Sequence, residues 1–93
     1  AALERALKER AVFEAGVEAA RAGVEAREAF KRQAYSELKR ADELIGEGFI
    51  ATQAHDRIKT GFDAAASELK AAREELNRAE ARLEAYISAI EEA

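Results

Sequence analysis

His55 is the only imidazole in the chain, and few residues near it could share its chemistry. Asp56 is its neighbour, and Thr52 stands three residues before it. An imidazole that titrates near neutral pH can act as a base, a metal ligand or a pH sensor. A metal site needs further His, Cys or carboxylate ligands converging on the ion. No such cluster is visible, and neither is a Gly-rich phosphate loop or a nucleophile beside its base. There is no Cys, which excludes disulfides and thiolate sites. His55 is therefore expected to be packed or partly solvated. The chain reads as a non-enzyme with no cofactor and no metal. What remains is recognition chemistry. Arg40 can donate several hydrogen bonds to carbonyls or carboxylates. Its plainer role is that of an exposed arginine near Asp42, Glu43 and Glu47. The Thr52 hydroxyl can accept a backbone N–H at a helix start.

The elements that position these residues follow from composition and spacing. Roughly a quarter of the residues are Ala, 37% are charged, and Pro, Met and Trp are absent. Ala, Glu, Arg, Lys and Leu dominate, as in long helices and coiled coils. One stretch breaks the helical pattern. Gly46 and Gly48 interrupt it, Phe49 and Ile50 follow, and a second helical pattern then begins. The expected fold is all-α, a long antiparallel two-helix coiled-coil hairpin with its turn near residues 46–50. Arm one is expected over 1–45, the tip over 46–51 and arm two over 52–93.

In the second half, Phe62, Leu69, Leu76, Leu83 and Ile90 recur every seven residues. Ile58, Ala65, Ala72, Ala79 and Tyr86 fill the alternate positions. This is a coiled-coil seam, and its strict period predicts a left-handed supercoil. The first half carries Leu3, Ala6, Phe13, Val17, Ala20, Val24, Ala34, Leu38, Ala41 and Ile45 on one seam. Arg10, Arg27 and Lys31 interrupt it. Their aliphatic stems can lie along the seam while the charges reach water. Folding the chain at Gly48 apposes the two seams. Ala41 then meets His55, Leu38 meets Ile58, Ala34 meets Phe62, Val17 meets Ala79 and Arg10 meets Tyr86. Agreement between local period and global pairing argues for the hairpin. At ~1.5 Å per residue, each arm would rise roughly 65 Å.

Leu7, Val12, Phe30, Tyr35 and Leu44 fall outside this seam. Gly16 and Gly23 share a flank with Phe30 and Leu44, and Ala64, Ala71 and Ala85 form an outer column on arm two. Glycine inside a helix costs about 1 kcal/mol relative to alanine. Two on one flank fit either tolerated surface positions or the side-by-side approach of another hairpin.

The segment from Arg40 to Leu83 resembles the α-helical hairpin of bacterial membrane fusion proteins, or periplasmic adaptor subunits (the HlyD/AcrA/MacA-like group). The family's tip has an Arg, a Leu four residues on, a Gly-containing turn ending in an aromatic or aliphatic residue and Ile, then a Ser or Thr. Here Arg40, Leu44, Gly48, Phe49, Ile50 and Asp56 stand at matching positions. Leu69, Ala72, Leu76, Ala79 and Leu83 continue the likeness. Ala51 and Ala54 replace both halves of the usual Ser-x-x-Glu capping box. Thr52 is expected to take over as cap and as the polar tip group.

The resemblance implies a structural element of a tripartite efflux or type I secretion assembly. It would span the periplasm, anchored at the inner membrane through other domains, with these residues an excised piece of a larger adaptor. Its implied partners are a TolC-like outer-membrane channel, sibling hairpins in a ring and an inner-membrane transporter. The implied tip residues are Arg40, Leu44, Gly48, Phe49, Ile50, Ala51 and Thr52. The competing reading is a stand-alone or designed hairpin without a channel partner. The irregular first seam argues against idealised design. A formal net charge of −4 with no continuous basic stripe argues against nucleic acid. No apolar run is long enough for direct membrane insertion.

Overall fold

The computed structural model describes residues 1–92. The chain forms two helices, α1 over Ala2–Gly46 and α2 over Thr52–Glu92, running antiparallel about a turn near residues 47–51. With no proline and an alanine-rich sequence, nothing inside either helix blocks the backbone ladder. Helices of this kind draw most of their stability from the packing of one face. The chain divides into two compact units, one of Ala1–Val24 with Ala72–Ala93 and one of Glu25–Ala71.

In the unit that holds the termini, Val17, Val24 and Ala79 form the buried core. Ala6, Phe13, Ala20, Leu76 and Leu83 are half-buried around them. The seam ends sooner than its periodicity predicts, because Leu3 is 73% exposed and Ile90 41% exposed. Seam residues at a helix end have partners on one side only. Arg10 also departs from expectation. It stays exposed and pairs with Glu14 one turn on, at 3.7 Å, and the space beside Tyr86 goes to Phe13, ring centroids 5.0 Å apart.

Tyr86 joins the two helices here. Its hydroxyl lies 3.1 Å from the Ala6 carbonyl oxygen and 2.9 Å from the Glu9 carboxylate, and it donates to this pair of acceptors. Desolvation, and then the Glu9 carboxylate, raise its pKa above the ordinary 10.0. The neutral phenol is thus the form that the fold favours. Its stabilisation is complete below the unfolded value and is lost as pH rises through the elevated one. Thermal melts should show this chain losing more stability than its Tyr86→Phe variant as pH rises above 10.0. Parallel curves would show that the hydroxyl contributes nothing. On α2, Glu75 accepts from Arg82 and Arg78 at 3.1 and 3.0 Å. Hydrogen bonds from Arg82 and then Arg78 hold its carboxyl below its usual range. That contribution fades only as pH falls through the lowered value, and exposure keeps it small.

In the unit that holds the turn, Ala41 and Leu69 are the buried core, at 0% and 3% exposure. Ala34, Leu38, Ile45, Ile58, Phe62 and Ala65 are half-buried beside them. Tyr35 contacts Phe62 at 5.9 Å between centroids, Asp42 contacts His55, and Arg27 reaches Glu68 at 3.3 Å. Each pair falls within one residue of the register expected from a fold at Gly48. Tyr35, expected outside the seam, is wide enough to cover its edge. Lys31 is half-buried, which fits a long stem lying along the seam.

Candidate functional site

The turn is built by backbone hydrogen bonds. The Phe49 N–H donates to the Leu44 carbonyl at 2.8 Å, and the Gly48 N–H donates to the Ile45 carbonyl at 3.1 Å. Gly48 has φ of +81°. This is a Schellman cap, with Gly48 in the left-handed conformation that a Cβ disfavours. The cap also extends α1 one residue past the expected Ile45, to Gly46. No basic residue stands in the last turn of α1 and no acidic one in the first turn of α2. The helix dipoles at the turn therefore receive no help from side-chain charge. The left-handed cap and its two bonds satisfy the Leu44 and Ile45 carbonyls instead.

The start of α2 corrects the expectation for Thr52. The His55 N–H donates to the Ala51 carbonyl at 3.1 Å, which makes Ala51 the capping residue. Thr52 is already the first helical residue. Among the described residues its hydroxyl makes no side-chain hydrogen bond, so the N-cap is empty. A side chain one position too late cannot turn back onto the N–H groups that a cap reaches. Ala51→Ser should supply the missing acceptor and stabilise the chain by about 1 kcal/mol. A melting temperature unchanged by that substitution would rule the reading out.

Around this turn, Phe49 projects into solvent at 73% exposure. Leu44 does not. It was expected to be free of intramolecular contacts, but it is half-buried, as is Ile50. The two share a shallow groove with Glu37, Arg40, Ala41 and Ile58. The chain must curl back over Leu44 to close the cap, which carries Ile50 toward the helices. Arg40 is exposed and makes no ion pair among the described residues, although Asp42, Glu43 and Glu47 are near in sequence. The expected tip residues thus divide into two groups. Gly48 and Ala51 shape the backbone, while Arg40, Leu44, Phe49 and Ile50 present side chains.

The partner of His55 was missed by reading the sequence. Its Nε2 lies 2.6 Å from the Asp42 carboxylate oxygen, across the helices, and its Nδ1 lies 3.8 Å from Asp56. The expected register places Ala41 opposite His55, and Asp42 follows directly. The signal was present in that pairing, because a polar residue beside the apposed position can reach past a small alanine. The imidazole side chain is only 18% exposed, so it links α1 to α2 just below the turn. Among the described residues, no group of three or more His, Cys, Asp or Glu could hold a metal ion. Among the same residues, no helix is long and apolar enough to cross a membrane.

The fold and site define a two-helix antiparallel coiled-coil hairpin with a capped, apolar-tipped turn. Comparison with protein-family models, curated proteins and solved structures finds no match for the chain.

Proposed function

We propose that the chain is the hairpin arm of a bacterial periplasmic adaptor, within a tripartite efflux or type I secretion assembly. Its turn docks onto a TolC-like outer-membrane channel, and sibling hairpins stand beside it in a ring. Other domains of the same adaptor reach the inner-membrane transporter. The arm does no chemistry, and energy comes from the transporter.

One observation carries this reading. The Schellman turn exposes Phe49 and, on the same unit, Arg40 has no ion pair among the described residues and stands beside a groove floored by Leu44 and Ile50. An unpaired guanidinium next to an apolar anchor suits the carbonyl-rich end of another helical hairpin. The test is cysteine cross-linking in a full-length adaptor. Phe49→Cys should capture the channel, while a cysteine at exposed Ser88 on α2 should not. Equal capture at both positions, or capture at neither, would reject tip docking.

A further inference from the structure

The start of α2 is lightly secured. Its N-cap is empty, so the N–H groups of its first turn lack the side-chain acceptor that a cap supplies. His55 secures this turn twice. Its N–H donates to the Ala51 carbonyl at 3.1 Å and closes the first backbone bond of the helix. Its ring Nε2 lies 2.6 Å from the Asp42 carboxylate and fastens the same turn to α1. Asp42 directly follows Ala41, which is fully buried and lines the groove with Leu44 and Ile50. The tie thus joins the helices beside a residue that shapes the groove.

The protons of the ring give this tie a sign. A nitrogen 2.6 Å from a carboxylate carries a hydrogen, because two lone pairs at that distance repel. In the neutral ring that hydrogen sits on Nε2, and Nδ1 is a bare acceptor. Nδ1 lies 3.8 Å from the Asp56 carboxylate, so lone pair and anion confront each other there. A second proton turns Nδ1 into a donor and the ring into a cation between two anions. Hydrogen bonds between ionised partners are the stronger kind. Burial to 18% exposure opposes the charge, while direct contact with one carboxylate and the nearness of a second favour it. The charged groups around the ring are Asp42 from α1 and Asp56 from its own helix. Among the described residues no lysine or arginine pairs with either carboxylate, and Glu43, Glu47 and Lys59 are exposed and form no ion pair.

We propose that His55 is a proton-controlled fastener of the turn. Acidification through the neutral range tightens the first turn of α2 onto α1, and alkalinisation loosens it. An imidazole gains its proton in this range while carboxylates stay ionised, so the response belongs to one residue. The device acts within this chain and stands or falls without any channel, although a docking turn would inherit it.

The test is amide hydrogen exchange by NMR at about pH 7.5 and pH 5.5, on either side of the imidazole range. Protection factors remove the intrinsic pH dependence of exchange. Protection of the His55 and Asp56 amides should rise about threefold on acidification, the size expected when a partly exposed ion pair forms. In His55→Gln, whose amide still donates but cannot titrate, protection should stay level. Asp42→Asn should flatten the response as well. Nitrogen-15 spectra of the imidazole should show Nε2 protonated at both pH values and Nδ1 gaining the second proton. They need no substitution, so they decide the matter even where a variant does not fold. Level or falling protection in the unmodified chain would overturn the proposal. So would an equal rise in His55→Gln, or a neutral ring that carries its hydrogen on Nδ1.

Discussion

Leu69→Ala is expected to destabilise the chain by about 2–3 kcal/mol, toward the lower end of the range for buried leucines. Leu69 is 3% exposed and is the only large side chain in the buried core of its unit, since Ala41 is small. Removing it takes away its transfer free energy and leaves a void that Ala41 cannot fill. The lower end applies because a two-helix interface has solvent on both flanks, so neighbours can settle into the gap. A marginal chain has little stability to spare, and one such loss is a large share of the total. Urea denaturation would measure it, with the midpoint falling while the slope holds. Leu76→Ala, at a half-buried position, should cost clearly less. Equal costs at the two positions would contradict a core centred where burial places it.

Those two leucines also show what the sequence could reveal. Both were placed on the seam by period alone, and nothing in the period distinguishes a buried leucine from a half-buried one. The register was legible because two seams had to meet, and only a fold near Gly48 apposed them. Asp42–His55, Tyr35–Phe62 and Arg27–Glu68 all obey it to within one residue. Side-chain detail off the seam was not legible. Leu44 looked free because the heptad excludes it, yet capping the helix bends the backbone so that Ile50 joins it in one groove. Thr52 looked like a cap because its residue type suits one. The choice between Ala51 and Thr52 is made by where the first backbone bond closes, and composition does not encode that. Leu3 and Ile90 kept the period but lost their surroundings at the chain ends.

Gly48→Val is expected to be the most disruptive substitution at the turn, costing about 2 kcal/mol, with Gly48→Ala nearer 1 kcal/mol. The reason is conformational. At φ of +81° a Cβ crowds the adjoining backbone, and a β-branched side chain crowds it further. No outside neighbour adds to this cost, because a Cβ at Gly48 meets nothing within 4 Å. Gly16 and Gly23 make the control. They have the same open space but no positive φ, so Gly16→Ala and Gly23→Ala should each stabilise the chain by about 0.5–1 kcal/mol. Opposite signs at equally open glycines would isolate backbone strain from packing. The alternative open to a Gly48→Val chain is to abandon the left-handed cap. The Phe49–Leu44 and Gly48–Ile45 bonds would then break, Phe49 would lose its fixed place at the turn and Ile50 its place in the groove. Under the adaptor reading, that variant should lose channel capture through residue 49 even where its helices remain folded. Full capture in a folded Gly48→Val chain would mean that the turn's geometry is not what the partner recognises.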